Sequence, residues 1–408
     1  MDVYVSHLAA LKDHHQITAT EDIRTAQGLK LLSRGARLDE ATLARLALQK
    51  LHKPLDQSVG IGGELDGAQL ATLIVELAAQ HPDGAALLRQ LPLPLAELCS
   101  SLDRQPLLCQ RLTVMRAVFP ARFRRTLFGA LLALAIVRSG NLRGLSLPGL
   151  FVAALARSIG LLHLPEAFMA REAQHSAEAQ RQFESHPVVS REMIRRSVDP
   201  VTAEAILNQH ERLDGSGFPR GSRAGTPSSE AQLLGLADWI AWLCLERVEA
   251  GAGRIAHALQ PLRLFRLFWS GAIFNAACEM ILVIGGSCPP LVSENERPAW
   301  LAALLARHQQ TGRQLTALLE ELGAATDEGP SHGQHQRRCL LQMLSRINTS
   351  SGLLSPEYER WIDHVRAQQL SVAYAEMDEV YLQLCCLEPL LQRTRLLCGA
   401  PEGEEVAA

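Results

Sequence analysis

The stretch Asn208 to Arg220, NQHERLDGSGFPR, decides how the rest of this chain is read. It sets His210-Glu211 directly before two turn dipeptides, Asp214-Gly215 and Ser216-Gly217, and closes on Phe218-Pro219. Glycine takes positive φ at no steric cost, so these dipeptides mark a tight loop. Pro219 then holds the chain as it leaves. A histidine and carboxylates beside a rigid loop at a helix end suit a metal or phosphate site.

Outward from that loop the pattern is helical. Residues 64–286 break at His81-Pro82-Asp83-Gly84, Gln105-Pro106, Phe119-Pro120, Ser139-Gly140-Asn141, Leu164-Pro165, Asp199-Pro200 and the 214–219 loop, and no alternating strand pattern competes. An all-α bundle follows. Before it, residues 1–63 read as a small α+β module. Ile17 to Thr20 and Leu29 to Leu32 are strand-like runs about the turn at Gln27-Gly28, and Arg34-Gly35 marks a second turn. Asp39-Glu40 opens an amphipathic helix. Gln57 to Gly63, with three glycines, reads as a linker. Residues 287–408 form a helical C-terminal region: helices over Arg297–Leu322 and Gln336–Arg346, a polar loop ATDEGPSHGQHQ between them, and one long helix or two over Pro356–Cys398. Trp361, Ile362, Val365, Val372, Met377, Val380, Tyr381 and Leu384 make a stripe on the last of these, a pattern that serves either a core or a dimer interface. The tail PEGEEVAA is expected to be disordered.

The chain has 408 residues, 47% of them apolar, enough for two or three domains and a sizeable core. A net charge of −3 argues against nucleic acid as a partner. Nine cysteines without a metal-type or disulfide-type spacing suggest reduced thiols. No secretory signal is read at the N-terminus and the most apolar runs are too short to span a bilayer, so the expected location is cytoplasmic.

QHE-R-L-DGSGFP resembles the signature of the HD-GYP family, metal-dependent phosphodiesterases of bacterial cyclic di-GMP signalling, which runs roughly HHE-x-x-DGSGYP. Gln209 stands for its first His and Phe218 for its Tyr. The family's LLHDIGK-x-x-IP stretch is matched by Ala154 to Pro165, its His-Pro by His186-Pro187, and its late Asp by Asp238 in AQLLGLADWIAWL. The resemblance covers roughly residues 90–286. The family's later Arg-Pro-Tyr-Arg-like segment has no counterpart: Asp238 is followed by WIAWLCLERVEAGAG. The resemblance implies an HD-type helical bundle with two or three metal ions that activate a water against a phosphodiester.

Three of the implied ligand positions are kept, His186, His210 and Asp238, and three are replaced. Arg157 stands at a ligand His, Ser158 at the bridging Asp, and Gln209 at another His. Leu161 stands at the lysine that meets substrate phosphate, and no lysine follows Lys53. A serine hydroxyl cannot bridge two hard cations, and a guanidinium stays protonated and repels them. The expected cofactor is therefore none, or at most one weakly held Fe or Mn ion. A buried Asp238 without metal needs a cation, and Arg157 is expected to supply it as an ion pair. His163, beside these positions, is given no role.

Three functions stand open on this reading. One is a non-catalytic regulatory or docking module, its loop Asp214–Gly215–Ser216–Gly217–Phe218–Pro219 meeting a protein partner, as the family's loop is associated with diguanylate cyclase (GGDEF) domains. Another is a low-activity cyclic di-GMP phosphodiesterase. The third is a binder of cyclic di-GMP that does not cleave it, with Arg157 and Arg212 on the phosphates. The helical HDOD relatives, which also lack metal ligands, match less well because they lack the loop. A homodimer through the C-terminal helices is a further expectation.

Overall fold

The structure, a computed structural model, describes residues 3–11, 15–165, 176–221, 225–247, 253–286, 290–324, 332–368, 370 and 373–398. The tail PEGEEVAA, most of the loop ATDEGPSHGQHQ, Val372 of the C-terminal stripe, and residues 248–252 beyond Asp238 lie outside the described residues. The fold is mainly α: a helical bundle preceded by a small strand-containing module and followed by further helices.

The module begins with α1 (Val3–Ala10), then β1 (Ile17–Ala19), β2 (Ile23–Arg24), β3 (Lys30–Leu32), α2 (Glu40–Ala47) and β4 (Val59–Ile61). The two strand-like runs foreseen in the sequence are β1 and β3, but they do not pair with each other. β2 and β3 form the hairpin, with Gly28 at φ +87° in its turn. β1 instead pairs antiparallel with β4, Ile17 opposite Ile61 and Ala19 opposite Val59. This corrects the reading of Gln57–Gly63 as a linker. Val59 and Ile61 are buried around Gly60, which is the period of a half-buried strand, and only Gly62-Gly63 acts as the turn out. α2 starts where Asp39 caps it, its carboxylate accepting from the Thr42 N–H at 2.8 Å.

The bundle comprises α3 (Gly67–Gln80), α4 (Gly84–Arg89), α5 (Leu95–Ser100), α6 (Pro106–Val118), α7 (Pro120–Ser139), α8 (Leu147–Ala156), α9 (Ala177–Glu184), α10 (His186–Ile194), α11 (Pro200–Leu207), α12 (Ser229–Trp242), α13 (Leu259–Leu264) and α14 (Gly271–Gly285). α7 and α12 form its axis. Every residue of α7 from Arg125 to Val137 is buried, as are Leu233, Leu234, Leu236, Ala237, Asp238 and Ile240 of α12. A helix apolar all round belongs at the centre of a bundle. Prolines at the first helical turn of α6, α7, α8, α10 and α11 explain why the sequence breaks fell at proline: each starts a helix instead of interrupting one.

The module is packed onto this bundle. Tyr4 of α1, fully buried, stacks on the His163 ring at 5.3 Å, and the Arg111 guanidinium of α6 lies 3.8 Å over the Tyr4 ring.

The C-terminal region is α15 (Arg297–Ala324), α16 (His332–Ser351), α17 (Pro356–Gln368) and α18 (Tyr374–Cys398). The last stretch is thus two helices. Ile362, Val365, Met377, Val380 and Leu384 of the foreseen stripe are buried within the chain itself. No helix among the described residues is long and apolar enough to cross a membrane.

Candidate functional site

Five segments converge beside α7 and α12, and small residues let them approach. Arg157 ends α8, and the chain turns through a 3-10 segment, Ile159–His163, against α10. A Cβ on Gly160 would lie 2.3 Å from the His186 carbonyl oxygen, so only glycine allows this contact. The Gly160 N–H donates to Ser190 Oγ at 2.8 Å, and Ser190 Oγ donates to the Arg157 carbonyl at 3.1 Å. Gln209 Nε2, at the end of α11, donates to that same carbonyl at 2.8 Å and to the Ile206 carbonyl at 3.2 Å. Gly235 of α12 meets the Gln209 backbone so closely that a Cβ there would sit 2.2 Å from its carbonyl oxygen.

Asp238 lies at the centre, 3% exposed. Arg157 Nη1 is 2.5 Å from its Oδ1. A second guanidinium, Arg125 of α7, grips the carboxylate through both oxygens: Nε donates to Oδ1 at 2.7 Å and Nη2 to Oδ2 at 2.6 Å. Arg125 Nη1 also reaches Glu246 at 3.2 Å, in the π-helical turn Leu243–Arg247 that continues α12. Arg157 is completed by Ser158 Oγ at 3.3 Å and the Arg125 carbonyl at 3.4 Å. Gly129, one turn after Arg125, clears the space: its Cβ would be 3.0 Å from Arg157 Nη2. Burial by itself would raise the Asp238 pKa, but Arg125 and then Arg157 outweigh it and hold the carboxyl well below its ordinary range. Burial lowers the Arg157 pKa, with Asp238 opposing.

The two histidines lie close enough to Asp238 for its charge to act on both. The rings of His186 and His210 are 5.2 Å apart, and His210 stacks on Phe218 at 4.5 Å. His186 Nδ1 donates to the Phe183 carbonyl at 2.7 Å, which leaves Nε2 as its lone-pair nitrogen. Burial pushes the His186 pKa down to about 3 and, with the neighbouring His186, holds that of His210 well below the ordinary value, so both rings are neutral near pH 7. Half-buried Arg122, one turn before Arg125, is lowered to about 10 by burial and by Arg125.

The loop Asp214–Pro219 is folded against its own chain. Asp214 Oδ1 accepts from Ser216 N at 3.0 Å and Ser216 Oγ at 2.7 Å, Gly215 takes φ +76°, and the Phe218–Pro219 peptide is cis. Ser216 and Gly217 are buried. Arg393 of α18 covers them: it donates to both the Ser216 and Gly217 carbonyls, and its Nε donates to Glu184 at 2.5 Å. Gln336 of α16 adds a bond to the Gly217 carbonyl at 2.9 Å. Leu213 and Arg220 flank the loop exposed.

The residues singled out in the sequence therefore meet in one place, apart from three. Leu161 is buried in the core, His163 faces Tyr4, and Arg212 turns away to lie 4.0 Å over the Phe268 ring. Two participants were missed. Arg125 carried a faint signal, since Asp238 and Arg125 each sit at the edge of an apolar helix and each needs a partner. Arg393 carried none, because nothing in the sequence of α18 sets Arg393 apart from Arg395.

A family model described as HD domain matches residues 107–266, a span that holds α7, α8, the loop and α12. The chain thus carries an HD domain, within the 64–286 bundle. Over 115 residues it is 27% identical to the 3'3'-cGAMP-specific phosphodiesterase 1 of Vibrio cholerae, which is 28% of this chain and 27% of that protein. The match thus spans about a quarter of that relative's length. No solved structure matches.

HD domains imply divalent metal, and the donor set here does not fit one. Both Asp238 oxygens are taken by N–H groups of two guanidiniums, those of Arg125 and Arg157. Gln209 turns its amide N–H toward the Arg157 backbone, leaving a neutral Oε1 that is buried without a partner. Among the described residues no three His, Cys, Asp or Glu side chains converge as a metal group. A dication entering between two guanidiniums would face repulsion at close range in a water-poor setting.

Proposed function

We propose that this chain is a non-catalytic regulatory or docking protein of bacterial cyclic-dinucleotide signalling, its HD domain of the HD-GYP type with the metal centre replaced by internal cations. One observation carries the reading: Asp238, the carboxylate that such a site would give to metal, is forked by Arg125 and paired with Arg157. Hydrolysis of a phosphodiester in this family depends on a metal-activated water, and a bridging carboxylate holds the ions together. Ser158 offers a neutral hydroxyl where that carboxylate is needed, and it is already accepting from Arg157. The two histidines are neutral and could lend lone pairs, but the carboxylate nearest them, Asp238, is already neutralised by Arg125 and Arg157.

The binder that does not cleave is a second reading, favoured by one atom. Arg212 Nη1 is buried and has no hydrogen-bond partner, so it is free for a phosphate oxygen if its ring contact shifts. Arg157, the other phosphate contact foreseen, is 1% exposed and committed to Asp238, so that reading now rests on Arg212.

The test is elemental analysis of protein purified without chelator, followed by turnover assays with cyclic di-GMP and 3'3'-cGAMP in added manganese or iron. The expected result is well under one metal ion per chain and no turnover above background. Stoichiometric metal with turnover of about 1 per second or more, an ordinary enzyme rate, would overturn the proposal. Calorimetric titration with the same dinucleotides separates the two readings: binding that Arg212→Ala abolishes selects the second.

A further inference from the structure

The C-terminal helices do more at the loop than pack. The Ser216 and Gly217 carbonyls are buried, and among the described residues no backbone N–H reaches either of them. A buried carbonyl left without a donor costs free energy comparable to a lost hydrogen bond. Both are served by side chains from far along the chain: Arg393 bonds each, and Gln336 adds a second bond to Gly217. Arg393 is 6% exposed, and its other contacts are with the bundle. Its Nε and Nη2 face Glu184 Oε1 and Oε2, at 2.5 and 3.4 Å, and its guanidinium carbon lies 5.3 Å from the centre of the Phe218 ring. Glu184 is held for this by Gln180 Nε2 at 2.7 Å, one turn earlier in α9.

A carboxylate presenting two oxygens, two convergent carbonyls and an aromatic ring match the planar fork, the remaining N–H donors and the face of a guanidinium. An ammonium is a point charge and cannot meet all of them at once. We propose that Glu184, the Ser216 and Gly217 carbonyls and the Phe218 ring form a guanidinium receptor on the HD domain, filled in cis by Arg393, and that this contact latches the C-terminal helices over the loop. The receptor joins the helix before His186 to the loop after His210, so its occupant ties together both histidine-bearing segments. A protein that docks at this loop would need an arginine of its own, carried on a helix, to compete with α18. The inference does not depend on whether the domain hydrolyses anything.

Hydrogen–deuterium exchange on the full chain tests it, comparing wild type with Arg393→Ala and Arg393→Lys. Amides of residues 213–221 are expected to exchange at least about tenfold faster in Arg393→Ala, with those of α7 unchanged, as for a local opening. Ethylguanidinium added to Arg393→Ala should restore protection, and ethylammonium should not. Unchanged loop exchange, an equal rise in α7, or rescue by both compounds alike would overturn the receptor. Should Arg393→Ala fail to fold, Arg393→Lys decides: faster exchange confined to 213–221 supports the proposal, and wild-type protection refutes it.

Discussion

Asp238→Asn removes one negative charge and almost no volume, so it isolates the electrostatics of the buried cluster. The carboxylate receives three short N–H contacts, two from Arg125 and one from Arg157. An asparagine keeps one acceptor oxygen and turns an NH2 toward a guanidinium. Arg125 still has Glu246 at 3.2 Å. Arg157, with its side chain 2% exposed, is left with Ser158 Oγ and a backbone carbonyl at 3.3 and 3.4 Å. Stranding one partner of a buried ion pair costs about 3–5 kcal/mol, and Arg157 is stranded almost fully, so about 4 kcal/mol is expected. Arg157→Met strands nothing, because Asp238 keeps the Arg125 fork; a loss of about 1–2 kcal/mol is expected, the scale of a charged hydrogen bond. The double variant removes the stranded charge together with its cause. It should lose about 2 kcal/mol, well short of the sum, giving a coupling of about 3–4 kcal/mol. Urea unfolding at pH 7.5, followed by far-UV circular dichroism and by tryptophan fluorescence, reads these values wherever the two transitions coincide. Trp239 lies beside Asp238 in the chain and reports the region directly. An Asp238→Asn loss under about 1 kcal/mol, or a double variant that equals the sum of the singles, would refute the idea that arginine stands in for a metal here.

Other expectations follow from the same geometry. Glu211 is 3% exposed, its Oε2 is buried without a partner, and burial raises its pKa to about 7. A raised carboxyl pKa means that stability is fully present below the unfolded value near 4.5 and is lost as pH rises through 7; Glu211→Gln, which can still accept from the Arg220 N–H, should therefore gain about 2–3 kcal/mol over wild type at pH 8 and nothing at pH 4. Denaturation midpoints measured across that range check it, and a gain independent of pH would count against it. Asp238 behaves oppositely: its depressed pKa gives stability that is present above the unfolded carboxyl value and fades as pH falls, so Asp238→Asn should flatten the acid limb of the wild-type stability profile. Introducing Arg157→His, Ser158→Asp and Gln209→His together should confer little manganese affinity while Arg125 still forks Asp238, and adding Arg125→Ser should raise it; equal affinity with and without the fourth change, by calorimetry, would show Arg125 to be irrelevant.

Two tests complete this set. Metal content and turnover test the proposed lack of a hydrolytic centre, and exchange protection at 213–221 tests the Arg393 contact.

The helical bundle, and the placing of Arg157, His186 and His210 with Asp238, were legible in the sequence because they rest on local patterns and short motifs. Prolines marked the breaks between helices, and the glycines at 215 and 217 marked the tight loop, where Gly215 takes φ +76° and a Cβ on Gly217 would lie 2.4 Å from the His210 carbonyl oxygen. Arg157 could be set opposite Asp238 because the order of short motifs orients the segments that carry them. What tertiary structure alone decided were pairings between distant segments. β4 belongs to β1 across about forty residues, and a three-residue strand bearing one glycine is indistinguishable from a linker until its partner is seen. Arg125 reaches Asp238 because α7 and α12 lie side by side, a register set by packing and not by any spacing within either helix. The loop, read as a surface for another protein, is closed by Arg393 from the far end of the chain. A buried carbonyl requires a donor but does not specify which residue in the sequence provides it, and that choice is made only when the helices dock.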